Sequence, residues 1–333
     1  MKKLLFLAVI PGVFLLLAGG YKVSGRMPVS GTERWDYLAI DTAARRVYVS
    51  HTKRVEVVDA DSGKQVGVIP DTPGVHGIAI APELHRGFTS NGLESKVSIF
   101  DTASLKVVEK VAVGKGPYGI YYDAGSKRVF TCNHGSNDIT AIDGLSGKVV
   151  GSVAVRGAGE QMVTGRNGLV YVAMGNSNVV LAFDPVSLQV RHRFGVAMGA
   201  IATALAYDAK FDRLFIGCRS KSMVVMDASN GRAISNLPIG TGVEWAEFDA
   251  ESRVVFLSAG DGVLSVFRQV SADLYEDGGA VTTQVGAKTM VFDSKTRQVL
   301  LPSAEEELVD MGEGKKPVRR IKPGSFGLIV VGK

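Results

Sequence analysis

The sequence predicts an all-β fold, a seven-bladed β-propeller, from a repeat of about 42 residues, a high glycine content and short segments of alternating apolar and polar residues. Glycine occupies 40 of 333 positions, above the usual share of roughly 7%, and proline only 11. Hydrophobic residues make up 46% of the chain and charged residues 21%. The composition therefore predicts an ordered protein with a large core and frequent turns.

The repeat is clearest in a short apolar segment that ends in aspartate. These aspartates recur at intervals of 41 to 43 residues, at Asp59, Asp101, Asp143, Asp184 and Asp227. A second segment recurs from Asp41 to Asp293, which are six periods of 42 apart. A unit of this length holds four strands of five or six residues, the size of one propeller blade. Seven units predict seven blades in a ring, whereas β-helix and leucine-rich repeats are shorter and helical repeats have a different periodicity.

Residues that repeat from blade to blade are predicted to be structural. Each repeated aspartate precedes a tight turn, where a carboxylate accepts backbone N–H bonds and a nearby glycine supplies positive φ. We therefore interpret them as turn residues and not as catalytic or calcium-binding acids. Aromatic residues recur at another blade position and are expected to pack between neighbouring sheets: Tyr48, Phe88, Phe130, Tyr171, Phe215 and Phe256.

The amino-terminal residues 1–20 have the pattern of a secretory signal peptide. Lys2 and Lys3 precede an apolar run of about 14 residues that ends in small residues. This run is shorter than the roughly 20 residues that span a membrane, so we expect cleavage, no stable membrane anchor afterwards, and a periplasmic or secreted protein. Residues 21–333 are predicted to form a single propeller domain.

The first segment of that domain is predicted to close the ring. Residues 21–31 match residues 105–114, which form the outermost strand of a blade. Because no blade precedes them, we expect residues 21–30 to pair with residues 326–331 in the seventh blade. This pairing removes an open sheet edge that would favour aggregation.

Tetrapeptides at the second strand of successive blades resemble the motif of the YVTN-repeat β-propeller family. They read YVSH at 48–51, FTSN at 88–91, FTCN at 130–133 and YVA at 171–173. The likeness covers residues 21–333 and implies a seven-bladed exported propeller. It implies no shared catalytic reaction, so no catalytic residue is carried over.

Candidate binding residues are those that differ at equivalent positions. The first residues of the seven innermost strands are predicted to ring one mouth of the central channel: Asp36, His76, Tyr118, Gln161, Thr203, Glu244 and Lys288. Loops between second and third strands open on the same face and add His51, His134 and Arg219. Either these residues bind a ligand, or a water-filled channel tolerates any polar side chain there. Glu244 and Lys288 lie on adjacent blades and are placed to form an ion pair.

Three histidines in blades 1 to 3, His51, His76 and His134, raise the alternative of a zinc or copper site, with Cys132 as a further ligand. No His-x-x-His or Cys-x-x-Cys spacing supports it, so we predict no metal and no cofactor. Cys132 and Cys218 lie two blades apart, so we expect no intramolecular disulfide.

Residues 304–325 break the repeat and are predicted to form a long insertion between the second and third strands of blade 7. The insertion is acidic at its start and basic towards its end. It is expected to overhang the channel mouth as a binding loop or a solvated charged segment. Its basic half suits an acidic partner.

The sequence contains no nucleophile elbow, phosphate-binding loop or dinucleotide fingerprint. The net charge is +5 without a long basic run, so no nucleic-acid partner is predicted. We predict an exported, monomeric binding or scaffold module whose partner is an unidentified protein or small molecule of the periplasm. The alternative is a channel-mouth enzyme, either lactonase-like or a metal-dependent oxidoreductase.

Overall fold

A computed structural model describes residues 20–309 and 318–333. Within these residues, seven four-stranded antiparallel sheets form the blades of a propeller, which confirms the predicted fold class. Each blade begins with its innermost strand and ends with its outermost strand, except the seventh. The predicted signal peptide lies outside the described residues, apart from Gly20.

The strands of the first six blades follow one another along the chain. Blade 1 consists of β2 (Leu38–Asp41), β3 (Arg46–His51), β4 (Arg54–Asp59) and β5 (Gln65–Ile69). Blade 2 consists of β6 (Val75–Ala81), β7 (Arg86–Asn91), β8 (Lys96–Asp101) and β9 (Val107–Ala112), with a 3₁₀ turn at Pro82–Leu84. Blade 3 consists of β10 (Pro117–Asp123), β11 (Arg128–Asn133), β12 (Asp138–Asp143) and β13 (Val149–Ala154).

Blades 4 to 6 have the same order. Blade 4 consists of β14 (Gly159–Thr164), β15 (Val170–Met174), β16 (Val179–Phe183) and β17 (Val190–Gly195). Blade 5 consists of β18 (Ala202–Asp208), β19 (Arg213–Cys218), β20 (Ser222–Asp227) and β21 (Ala233–Pro238). Blade 6 consists of β22 (Val243–Asp249), β23 (Val254–Ala259), β24 (Val263–Gln269) and β25 (Tyr275–Thr282).

Blade 7 combines strands from both ends of the chain, as predicted. From the channel outwards it contains β26 (Val291–Asp293), β27 (Gln298–Ser303), β30 (Gly327–Gly332) and β1 (Lys22–Pro28). β1 pairs antiparallel with β30, from Lys22 opposite Gly332 to Pro28 opposite Gly327. The amino-terminal strand therefore covers the edge of β30.

The core is divided among the interfaces between neighbouring blades. Each of seven apolar clusters combines residues of two adjacent blades, and together they include the junction of blades 7 and 1. The six repeated aromatic residues are fully buried in these clusters, as predicted. The rings of Phe130 and Phe183, for example, meet edge to face at 5.0 Å between blades 3 and 4.

The repeated aspartates are turn residues, as predicted. Asp143 Oδ1 accepts hydrogen bonds from the backbone N and the Oγ of Ser146, both at 2.7 Å. Asp59 and Asp101 accept the same pair of bonds from the serine three residues further on. Their carboxylates are therefore occupied within their own turns.

A buried ion pair joins blades 1 and 7 on the face opposite the channel mouth. The Arg45 guanidinium donates to both oxygens of Asp293, at 2.9 and 2.7 Å, and also to Asp61. Arg45 is 8% exposed and Asp293 2%. This pair connects the first and last blades independently of β1.

The insertion in blade 7 lies between its second and third strands, as predicted. It forms a two-stranded hairpin, β28 (Glu306–Val309) and β29 (Val318–Ile321). Arg34, in the segment before blade 1, approaches Glu306 at 3.5 Å. The described part of the insertion therefore stands beside the start of the first inner strand.

Candidate functional site at the channel mouth

Five of the innermost strands share an irregular register at their first residues. In β6, β10, β14, β18 and β22 the pairing with the second strand is interrupted just after the first residue pair. The residue that follows this first pair is therefore the equivalent one in each blade. It is His76, Tyr118, Glu160, Thr203 or Glu244.

This register corrects the prediction for blade 4, where the equivalent residue is Glu160 and not Gln161. Gln161 is 7% exposed, and its side-chain amide forms hydrogen bonds to neighbouring blades. Its Nε2 donates to the carbonyl oxygen of Ala246 at 2.9 Å, and its Oε1 accepts from the backbone N of Leu205 and of Ala246. Gln161 thus links blade 4 to blades 5 and 6, and its polar atoms are occupied.

The polar side chains of two further predicted site residues are also engaged in contacts within the propeller. Thr203 is 2% exposed, and its hydroxyl donates to the carbonyl oxygen of Val243 at 2.7 Å. His51 is fully buried, its ring stacks on Phe326 at 4.7 Å, and its Nε2 lies 2.8 Å from the carbonyl oxygen of Glu33. A ligand at the channel mouth does not reach either side chain without displacing these contacts.

The predicted residues of blades 1 to 3 do come together. Asp36 Oδ2 lies 2.8 Å from His76 Nδ1, and because a carboxylate only accepts, this nitrogen carries the proton. The Tyr118 ring lies between His76 and His134, with both ring centroids 4.4 Å away. His134 Nε2 donates to the carbonyl oxygen of Gly159 at 2.8 Å. Burial lowers the pKa of His134, so its imidazole is neutral at pH 7.

Blades 5 to 7 contribute a cluster of opposite charges. The Glu244 carboxylate accepts a charge-assisted hydrogen bond from Arg219, and Lys288 Nζ approaches the same oxygen at 3.5 Å. The pairing predicted for Glu244 and Lys288 is thus confirmed. The Glu244 side chain is 5% exposed, whereas those of Arg219 and Lys288 are 43% and 39% exposed. The two cations therefore cover the carboxylate and face solvent.

Tyr37 and Glu160 connect opposite sides of the ring, and the prediction included neither. The Tyr37 hydroxyl donates to Glu160 Oε2 at 3.2 Å, across from blade 1 to blade 4. The Tyr37 ring meets Tyr118 at 5.5 Å and Trp245 at 5.1 Å. Glu160 is not part of any ion pair formed among residues 20–309 and 318–333.

The environment of Glu160 favours its neutral form. Burial, followed by the nearby Glu244 carboxylate, raises the pKa of Glu160 to about 7. The hydrogen bond from Tyr37 and the charge of Arg219 oppose this rise, and Asp36 adds to it. Both the neutral and the ionised carboxyl of Glu160 are therefore accessible near neutral pH, as is common for acids at functional sites.

Below the mouth the channel contains a cavity of about 360 Å³. Its wall is mostly aliphatic and aromatic, and its only charged side chains among the described residues are Glu160 and Glu247. Trp245 Nε1 donates to Glu247 Oε1 at 2.8 Å. Burial raises the pKa of Glu247 to about 7. The cavity thus holds two weakly acidic carboxyl groups and no basic one.

The inner strands of blades 2, 3 and 4 approach each other closely near their starts. A Cβ on Gly119 would lie 2.4 Å from the backbone oxygen of Glu160, and a Cβ on Gly77 would lie 2.9 Å from that of Tyr118. Only glycine permits these distances without a shift of the backbone. Blades 2, 3 and 4 are therefore packed closely enough to hold Tyr118 and Glu160 beside Tyr37.

The histidines do not form the alternative metal site. His76 and His134 share contacts with Tyr118, but His51 is buried against Phe326. Cys132 and Cys218 are free and buried, and burial raises the pKa of both thiols. Within the described parts of the chain, no group of three or more His, Cys, Asp or Glu is arranged to hold a metal ion.

The fold and the channel mouth define the protein as a propeller with a charged, aromatic-lined central opening. Residues 51–301 match the family described as outer membrane protein assembly factor BamB, and the chain belongs to this family. The resemblance to YVTN repeats remains a likeness of the tetrapeptides, since the matching family is a different one. A search of curated proteins found no match.

Solved structures with low sequence identity to this chain have similar folds. A chain of Kuenenia stuttgartiensis hydrazine synthase has a TM-score of 0.70 at 12% identity and covers 82% of this chain and 94% of its own. U3-55K has a TM-score of 0.74 at 10% identity, with 93% and 98% covered. A chain of the mitotic checkpoint complex has a TM-score of 0.71 at 15% identity, with 97% and 99% covered. At these identities the likeness shows the fold alone.

The described residues include no helix long and apolar enough to cross a membrane.

Proposed function

We propose that this protein is a binding module of the cell envelope that holds a protein partner at its channel-mouth face. The family to which it belongs is described as an outer membrane protein assembly factor, which supports an envelope location and a role in protein binding. The amino-terminal pattern of residues 1–20 supports export. We infer that residues 21–333 act as one domain.

The observation that carries the proposal is the unequal distribution of charge around the mouth. On the arc of blades 5 to 7, Arg219 and Lys288 share the single carboxylate of Glu244. On the arc of blades 1 to 4, Asp36 and Glu160 face the mouth, and His76 is the hydrogen-bonding partner of Asp36. One side is therefore more positive than the other. A partner with the complementary charge distribution is held in one orientation. In other orientations like charges would meet and repel each other.

Site-specific photo-crosslinking in intact cells tests the proposal. Val285, in the loop before Lys288, is 74% exposed on the mouth face, and Leu145, in a turn of blade 3, is 63% exposed on the opposite face. A photoreactive residue at position 285 should capture one envelope protein in high yield, and the same residue at 145 should not. Double replacement Arg219→Glu and Lys288→Glu should abolish the capture at 285. Capture only from position 145, or equal capture at both, would contradict the proposal.

A second candidate function, an enzyme at the same mouth, is favoured by the Asp36 and His76 pair. A carboxylate that fixes Nδ1 of a histidine leaves Nε2 of the neutral ring as a general base. Glu160, with its pKa raised to about 7, is suited to proton transfer. Hydrolysis of a panel of lactones that is lost in both His76→Ala and Glu160→Gln would favour the enzyme. Activity that persists in both variants would exclude this site.

A further inference from the structure

We propose that the channel below the mouth binds an organic cation, an ammonium or guanidinium group on an apolar stem, against Trp245 and Tyr37 with Glu160 and Glu247 as its counter-charges. This inference rests on the proposed function in that it uses the same mouth. It names the chemistry of the group that enters the channel.

The composition of the cavity wall gives the sign of the ligand's charge. Among the described residues that line the cavity, Glu160 and Glu247 are the only acidic ones, and no Lys, Arg or His is present. The cations of the mouth are already engaged, since Arg219 and Lys288 both bind Glu244. A cation that enters from outside would therefore supply the counter-charge for the two carboxyl groups.

The aromatic residues give the ligand its class. Trp245 and Tyr37 line the cavity with their rings 5.1 Å apart. Aromatic faces attract organic cations, and tryptophan does so most strongly. The remaining wall is largely aliphatic, including Ile78, Ile120 and Met162, and suits a methylene stem. A hydrated metal ion would gain nothing from such a wall, whereas an alkylammonium or arginine-like group would.

The volume limits the size of the ligand. A cavity of about 360 Å³ is at the lower end of the roughly 300 to 1,000 Å³ that small-ligand sites occupy. It accommodates a short amine, or one lysine or arginine side chain of a partner protein. Both sources present the same chemistry, and the experiment below separates them.

Ionisation of the carboxyls links binding to pH. Burial raises the pKa of Glu160 and of Glu247 to about 7, so a cation must displace protons from them below that pH. The groups that act on Glu160 are Tyr37 and Asp36 from blade 1, Arg219 from blade 5 and Glu244 from blade 6. If one carboxyl must ionise, affinity falls about tenfold for each pH unit below 7.

Fluorescence titration provides the test, because the chain has two tryptophans. The replacement Trp35→Phe leaves Trp245 as the reporter, and Trp35 does not line the cavity. In this background, 1,5-diaminopentane and n-butylamine are titrated beside n-butanol, a neutral ligand of similar size. We expect saturable quenching by the amines at pH 8, at least tenfold tighter binding than for n-butanol, and a loss of affinity towards pH 6.

Two conservative variants and one matched control make the result specific. Glu160→Gln and Glu247→Gln keep the shape of the wall and should each weaken amine binding about tenfold. Glu83 is the control, because it also accepts a hydrogen bond from a tyrosine, Tyr122, at 2.6 Å but is exposed outside the cavity wall. Glu83→Gln should bind amines like the parent protein. Near-ultraviolet circular dichroism checks that each variant is folded.

The outcomes separate this inference from the proposed function. Amines that bind no better than n-butanol, or both cavity variants binding like the parent, would overturn the cation site even if position 285 still captures a partner. Amine binding without any captured partner would leave the cation site in place and overturn the protein-binding role. If capture at 285 is blocked by 1,5-diaminopentane and by Glu160→Gln, the cation is a side chain of the partner. If capture is unaffected while amines bind, the ligand is a free amine.

Discussion

Replacement of Tyr21 by alanine tests the closure of the ring by the amino-terminal strand. Tyr21 precedes β1, is 6% exposed, and meets Phe256 of blade 6 edge to face at 5.0 Å. It also belongs to the apolar cluster between blades 6 and 7. Truncation of a buried aromatic residue costs about 3 to 5 kcal/mol. Because Tyr21 lies at the outer end of its cluster, we expect about 3 kcal/mol, which lowers the Tm of a domain of this size by about 5 °C.

Calorimetry and urea unfolding measure this loss, with two controls in the same amino-terminal segment. Tyr21→Phe retains the ring and should lose less than about 1 kcal/mol. Lys22→Ala removes an exposed side chain of β1 and should change stability by less than about 0.5 kcal/mol. The Tyr21→Ala protein should also aggregate at a lower temperature, since loosening of β1 exposes the edge of β30. A Tyr21→Ala protein that unfolds like the parent would refute the closure.

Further predictions concern the blade junction and the channel. Arg45→Ala leaves the buried Asp293 carboxylate unpaired and should cost about 3 to 5 kcal/mol in urea unfolding; an unchanged midpoint would contradict the role of the pair. Burial raises the pKa of Asp293, but the hydrogen bonds from Arg45 and its neighbours hold it below its ordinary value. In the parent protein, the stabilisation that the ionised Asp293 contributes should therefore be lost as the pH falls below about 4. Gln161→Ala leaves backbone groups such as the Ala246 carbonyl unpaired and should cost about 3 kcal/mol. Glu160→Gln should stabilise the protein by about 1 to 3 kcal/mol at pH 8 and not at pH 4, because the raised pKa of Glu160 makes the parent less stable as the pH rises from 4.5 to about 7. A pH-independent difference would argue against that pKa.

The architecture was predictable because the repeat is long and its signals are local. Alternation of apolar residues and glycine-containing turns identifies strands, and a period of 42 fixes the number of blades. The match of residues 21–31 to an outermost strand predicted the closure. The break in the period at residues 304–325 predicted the position of the insertion. Each of these inferences depends on comparing equivalent sequence segments of different blades, without knowledge of contacts in space.

The composition of the site was less predictable because it depends on register and on contacts across the ring. In blade 4 two polar residues, Glu160 and Gln161, follow each other, and only the irregular pairing after Gly159 decides which one faces the mouth. The burial of His51 depends on Phe326, which is 275 positions away in the chain. Tyr37 reaches Glu160 across the channel. Periodicity carries no information about such contacts.

The central claim is that the channel mouth is the binding face. Hydrogen exchange tests this claim most directly. It is measured on the protein alone and on its complex with the partner that crosslinking at position 285 identifies. Partner binding should slow exchange of backbone amides at the starts of the inner strands, in residues 36–38, 118–120, 160–162 and 244–246. The turns of the opposite face, such as residues 143–148, should exchange at unchanged rates. Protection of those turns, with no change at the starts of the inner strands, would contradict the account.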